Sequence, residues 1–238
     1  GPRKPARRGL RLGQVRVTVV TRDTFRAELA TLRGDVRAMG EDVLGQLDDA
    51  LETLETGDPT LAQSVIDGDE AINETYLAIE DACIDLFALQ QPVASDLRFV
   101  TASFKISTDL ERVGDLAMNL ARYSMAEDRS WDPDLGVRRI GEDARHLLAD
   151  ALDAYEREDV EACYDIATRD LCQDASDRLV RDLVEGEVIR DTWGMERLLD
   201  DVSRLLLTIR DVERIADHAV NVAARTCYAA DGDKSLIV

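Results

Sequence analysis

The strongest constraint on this chain is an eleven-residue phrase written twice. Asp109-Leu110-Glu111-Arg112-Val113-Gly114-Asp115-Leu116-Ala117-Met118-Asn119 returns 102 residues later as Asp211-Val212-Glu213-Arg214-Ile215-Ala216-Asp217-His218-Ala219-Val220-Asn221. Between the charged positions the exchanges are mostly conservative. A fixed offset of about half the chain implies two copies of one structural unit, each carrying one acidic cassette.

Hydrophobic residues make up 45% of the chain, but aromatics only 5%, and glycine (14) and proline (5) are sparse. A core of Leu, Ala and Val with few breakers predicts long packed helices rather than sheets. Phe25, Leu29, Leu32, Val36, Met39, Val43, Leu47, Leu51 and Leu54 step by threes and fours, marking a first amphipathic helix. Gly57-Asp58-Pro59 ends it, and Asp58 is placed to cap the next. That second helix runs through Leu61, Val65, Ile72, Ile79, Cys83 and Leu86 to Gln90-Gln91-Pro92. A third, from about 94 to 126, carries the first cassette, with Ser95 or Asp96 as its cap. The plan recurs: a fourth helix through Ile140, Leu148 and Tyr155, a fifth from Val160 to Val184, and a sixth from about 192 to 229 with the second cassette. The expected fold is all-α, two tandem antiparallel three-helix bundles related by internal duplication, over 21–130 and 131–238. Residues 1–20 differ from the rest; Val20 reads as a start from an alternative codon, making 1–20 a disordered or non-native leader. A basic regulatory tail is the competing reading, and Val15 to Val20 is the one strand-like run.

The net charge is −20, although residues 1–20 hold Arg3, Lys4, Arg7, Arg8, Arg11 and Arg16 and no acid. The acidic body repels nucleic acid and anionic lipid, which argues against DNA binding outside the leader. Cys83, Cys163, Cys172 and Cys227 form no C-x-x-C pair and read as buried thiols. Without a membrane-length apolar run or a signal peptide's apolar stretch, the expectation is a cytoplasmic protein with no membrane insertion.

Glu111, Asp115 and Asn119 are spaced i, i+4, i+8, as are Glu213, Asp217 and Asn221, so each set forms one stripe on a helix. The stripe lies opposite Val113, Leu116 and Leu120, which predicts a row of oxygens facing solvent. Carboxylate and amide oxygens suit hard cations such as magnesium, calcium, manganese or iron. A neighbouring helix would have to complete the set, and the candidates are Asp69 with Asn73 on the second helix and Asp177 on the fifth. On spacing alone a merely solvated acidic face outweighs this, with Arg112 and Arg214 as weak surface pairs. His218 falls beside the second stripe and His146 has no acidic partner pattern. A ferritin-like di-metal enzyme needs Glu-x-x-His, and Ile215 and Asp143 occupy those positions. No phosphate loop or catalytic triad stands out.

Leu89-Gln90-Gln91-Pro92-Val93-Ala94-Ser95-Asp96-Leu97-Arg98, the two cassettes and Asp69-Glu70-Ala71-Ile72-Asn73 resemble the PhoU family of phosphate-uptake regulators. The resemblance covers about residues 23 to 229. It implies a cytoplasmic, non-enzymatic negative regulator of phosphate uptake and homeostasis, expected as a homodimer. Its implied partners are the ATPase of a phosphate ABC transporter and, in bacteria, a phosphate-sensing histidine kinase. It also implies metal binding, with Glu111, Asp115, Glu213, Asp217, Asp69 and Asp177 as candidate ligands and iron, zinc, magnesium or manganese as candidate ions. Arg122 and Ala224 stand where the family often has glutamate, and Gln173 and Ser176 depart from the second-helix element, so the second site is expected to be the weaker. Rival functions are a DNA-binding repressor using the basic tail and a metal-dependent enzyme.

Lysine occurs only at Lys4, Lys105 and Lys234, against 49 acidic residues. An Asp-rich, Lys-poor surface suits strong screening of charge, and so a salt-loving, haloarchaeal source. Melting in molar potassium chloride checks this: the midpoint rises with salt, and an unchanged midpoint contradicts it.

Overall fold

The computed structural model describes residues 22–90, 94–125, 137–169 and 195–237. These form six helices: α1 (Arg22–Thr56), α2 (Pro59–Gln90), α3 (Ala94–Ser124), α4 (Val137–Arg157), α5 (Val160–Thr168) and α6 (Met195–Asp231). Among the described residues there is no strand, and no helix is long and apolar enough to cross a membrane. The expected fifth helix from Val160 to Val184 does not run unbroken: α5 stops at Thr168, where Arg169 turns extended at φ −78° and ψ 96°. The leader, the run 15–20, the rest of that expected helix, Cys172, Gln173, Ser176 and Asp177 lie outside the described residues.

The α1 periodicity translates directly into burial. Phe25, Leu32, Val36, Met39, Val43, Leu47, Leu51 and Leu54 are all buried, and Leu29 packs partly against them. At 35 residues, α1 spans roughly 50 Å at 1.5 Å per residue. It ends where Gly57 adopts φ 66°, a left-handed conformation that glycine accepts at little cost. Asp58 then accepts the Thr60 amide at 2.8 Å and caps α2, as its sequence position predicts. Ser95 and Asp96 do not cap α3: the helix already begins at Ala94, so both lie inside its first turn.

The turn into α5 repeats the first turn, displaced by 101 residues. Glu158 takes the place of Gly57 with φ 54°, and Asp159 takes that of Asp58, accepting the Ala162 amide at 3.0 Å. A side chain in this region costs about 1 kcal/mol. Arg33 offsets it by pairing with the Glu158 carboxylate and donating to the carbonyls of Tyr155 and Glu156.

Helices α1, α2 and α3 pack together, as do α4, α5 and α6, giving two tandem bundles with α3 and α6 side by side. The bundles share one continuous core. Two glycines allow the close approach of α1 and α4. A Cβ on Gly40 would lie 2.6 Å from Leu152 Cδ1, and one on Gly141 would lie 2.3 Å from Leu51 Cδ2. These contacts are reciprocal, because Gly40 and Gly141, like Leu51 and Leu152, are 101 residues apart. Each leucine fills the notch on the other helix, as an approximate two-fold axis requires. The same operation relates Arg37 facing Glu156 at 3.7 Å to Arg138 paired with Glu55. Tyr155, fully buried, extends the junction to α3 through a 2.8 Å hydrogen bond with Ser103 and a stack on Phe99.

The notch makes a signed prediction. Gly141→Ala gains helix propensity but overpacks Leu51, for a net loss of about 1 kcal/mol. In a Leu51→Ala background the added methyl enters a cavity, so the same change becomes stabilising. Urea denaturation of the four chains reads the cycle, and equal signs in both backgrounds would refute the notch.

Candidate acidic site at the α3 and α6 junction

Because α3 is flanked by α1, α2 and α6, its acidic stripe is not a free surface. The Glu111 side chain retains 19% of its accessibility and Asp115 36%. This corrects the expected solvent-facing row: a helix of one bundle has an outside only until a second bundle packs on it. From α2, Asp69 comes near enough to Asp115 and Glu111 for the three charges to act on one another. The sequence-predicted partner Asn73 donates to Asp69 Oδ2 at 3.0 Å. The structure thus brings Asp69, Glu111 and Asp115 within electrostatic reach of one another, without a direct contact between them.

Burial holds the Asp69 carboxyl above its ordinary range, and repulsion from Asp115 adds to this. The Asn73 hydrogen bond and the Arg122 charge act in the opposite direction. Glu111 is raised for the same reasons, burial first and then Asp115, with Asp69 contributing. Arg112 and His218 relieve it in part. Arg112 reaches Asp115 at 3.2 Å and Glu111 at 3.5 Å, so it is the surface partner the sequence suggests. Arg122, further along α3, offsets part of the charge at Asp69 alone.

Gly114 sits under this cluster. A Cβ there would lie 3.2 Å from Gln46 Oε1 and 3.4 Å from Ile72 Cδ1, so the small residue lets α3 settle closely against side chains of α1 and α2. In the second copy, Glu213 is half-buried and Asp217 exposed. Their expected partner Asp177 is outside the described residues.

Asn119 and Asn221, the third members of the stripes, serve another purpose. Asn119 donates to Asp211 at 3.4 Å, and Asn221 donates to Asp109 at 3.4 Å. With 102 residues between the two asparagines and between the two aspartates, this is again one interaction and its two-fold copy. Asp109 and Asp211, which open the cassettes, therefore tie α3 and α6 together. Sequence reading passed over them as ligands or as anchors, although their recurrence at the same offset was a visible signal.

The copies have diverged around that shared pair. Asp109 also faces His218 Nδ1 at 2.9 Å. Asp211, with its side chain fully buried, accepts the Tyr123 hydroxyl at 3.0 Å and is held by Arg210 at 2.9 Å. The Tyr123 hydroxyl is raised by burial and by this carboxylate. Removing the Tyr123 hydroxyl would leave the buried Asp211 carboxylate with less compensation, while Arg210, itself half exposed, stays partly solvated. His146 forms no part of the site in the described contacts.

Chemically, Asp69, Glu111 and Asp115 are a hard-oxygen donor set of the kind divalent cations take. Among the described residues, however, no group of three or more His, Cys, Asp or Glu side chains is placed so that it could hold a metal ion.

The architecture defines a class, the internally duplicated all-α proteins built from two three-helix bundles with one acidic cassette each. Within it, the chain belongs to the PhoU family: the PhoU domain matches residues 36–124 and again 137–226. It is 36% identical over 214 residues, 87% of this chain and 81% of the relative, to the phosphate-specific transport system accessory protein PhoU homolog of Pseudomonas putida. It is 34% identical over 213 residues, covering 87% of this chain and 86% of the relative, to the phosphate-specific transport system accessory protein PhoU of Escherichia coli K12. Crystal structures of PhoU from Pseudomonas aeruginosa and of the phosphate transport system regulatory protein PhoU from Streptococcus pneumoniae superpose with TM-scores of 0.79 and 0.78. Their identities are 34% and 28%, and the overlaps cover 88% of this chain and 100% and 98% of theirs.

The raised carboxyls give stability a definite pH dependence. Between the ordinary glutamate range and its raised value, Glu111 binds more protons folded than unfolded, so its ionisation near pH 7 opposes folding. Glu111→Gln therefore stabilises the protein at pH 7 by about 0.2–0.5 kcal/mol, the scale of a like-charge helical pair. The difference shrinks as pH falls through the raised value. Denaturant titrations from pH 7 to pH 4 measure it, and a variant gain that grows on acidification would contradict the assignment.

Proposed function

We propose that this chain is a non-enzymatic regulatory accessory of phosphate uptake, restraining transport when phosphate is plentiful. The observation that carries the reading is the near-complete overlap with PhoU relatives at 36% and 34% identity, both named for the phosphate-specific transport system. The solved neighbour from Streptococcus pneumoniae is named a regulatory protein of phosphate transport. Its working site is cytoplasmic, where the ATPase of a phosphate ABC transporter is the proposed docking target. A phosphate-sensing histidine kinase is a further target in a bacterial source, and the proposed assembly is a homodimer.

In the same reading, Asp69, Glu111 and Asp115 hold a divalent or trivalent cation, with Glu213, Asp217 and Asp177 as the second and weaker set. The support is electrostatic: carboxyls held partly from water beside one another are stabilised by a cation. Iron, zinc, magnesium and manganese are the candidates. Such an ion would neutralise the α2/α3 face and stiffen it against a partner.

Deleting the gene should raise phosphate uptake in phosphate-rich medium, and unchanged uptake would remove the regulatory reading. Separately, Glu111→Gln with Asp115→Asn should lower the metal content of the purified protein, while Arg122→Gln, which lifts a competing charge from Asp69, should raise it. Equal metal in all three returns the cluster to a solvated acidic face.

A further inference from the structure

On α2, Leu77 and Ile84 retain 56% and 53% exposure and Phe87 39%, although the helix buries Ile72, Ile79, Cys83 and Leu86 on its other side. Single exposed hydrophobic residues are ordinary. These three are aligned: Leu77 and Ile84 lie seven residues apart, and Phe87 follows at three. That is the spacing of a coiled-coil seam, in which knobs recur along one line of a helix. Glu74 and Asp81 repeat the seven-residue step on one flank, with Asp85 beside them, and all three are exposed. Across its 32 residues α2 contains seven carboxylates and no lysine, arginine or histidine.

We propose that the outer face of α2, centred on Leu77, Ile84 and Phe87 and edged by Glu74, Asp81 and Asp85, docks an amphipathic helix of another protein whose apolar line is flanked by lysine or arginine. The choice of occupant follows from charge. A second copy of α2 would set carboxylates against carboxylates beside the same hydrophobic line, a repulsive arrangement at flanking positions. An anionic membrane is repelled for the same reason. A basic-edged helix instead buries the three side chains and meets the acidic flank with opposite charge, in the helix-on-helix mode of recognition. The face supplies a recognition surface for the docking role proposed above and rests on that reading only for the partner's place in phosphate transport.

The test uses the full chain and a synthetic peptide of roughly 20 residues, with leucines on one helical line and lysines at its edges. A control peptide has the same composition with the leucines scattered. Binding is read by fluorescence anisotropy at about 0.15 M salt, where long-range attraction is largely screened. The amphipathic peptide should bind about ten-fold more tightly than the control. The triple variant Leu77→Glu, Ile84→Glu, Phe87→Glu should abolish that preference even though it makes the chain more acidic, with its circular dichroism unchanged. Equal binding of the two peptides, or a preference that survives in the triple variant, overturns the proposal. So does sedimentation showing that the parent self-associates through this face while the triple variant does not. Either failure leaves the uptake phenotype as a separate measurement.

Discussion

The arrangement of this protein depends on a reciprocal seam between its two halves. Leu51 occupies the notch at Gly141, and Leu152 occupies the notch at Gly40. On the next pair of helices, Asp109 meets Asn221 while Asp211 meets Asn119. Apolar interlocking draws α1 and α4 to within reach of each other's backbone, and polar contacts fix the register of α3 on α6. Dispersion between leucine and glycine gives closeness without much angular specificity, whereas charged hydrogen bonds give orientation but cost desolvation. Two-fold reciprocity supplies both contacts twice from one set of sequence choices.

That seam determines what the acidic cassettes can do. By recruiting Asn119 and Asn221 it leaves two carboxylates, rather than a three-member stripe, on each cassette's outward line. By bringing α6 alongside α3 it places His218 near Glu111 and partly removes that carboxylate from water. Asp69, from α2, completes a cluster whose acids repel one another and whose surroundings offer Arg112 and Arg122 as partial relief. A chain with this much negative charge spreads most of it over solvent. Among the described residues, this is where the fold pushes several carboxylates together at half-buried positions, which is why the cation reading attaches to this place.

The apolar line on α2 complements that cluster. Asp69 and Asn73 lie on the N-terminal half of the helix, and Leu77, Ile84 and Phe87 on the C-terminal half. One helix thus carries a charged end directed at α3 and a hydrophobic ridge directed away from the bundle. A cation that neutralised the first would reduce repulsion along a surface whose second part is suited to a partner helix.

Periodicity alone was enough to place α1 to α4, because burying an apolar stripe is a local pattern with a fixed period. The Gly57-Asp58-Pro59 stop was equally legible, since left-handed glycine and a capping aspartate act within one turn. Glu158 shows where such rules end: nothing local favours a glutamate at φ 54°, and it is held by Arg33, more than a hundred residues earlier. The cassettes were recognised as a duplication from sequence, and with them Glu111, Asp115 and the partner Asp69. Asp217 and Asn221 are exposed as expected, but Glu111 and Asp115 are not, because the apolar stripe of one helix marks only the face it turns to its own bundle and is silent about a second bundle packing on the other side. Sequence by itself determined α1 to α4, the last helix, the α2 cap and the two-fold plan, all of which depend on near neighbours and repetition, but not the end of α5 at Thr168. Only tertiary structure decided that Asp109, Asp211 and the two asparagines join the halves, because that contact exists between residues about a hundred positions apart and is created by packing rather than by pattern.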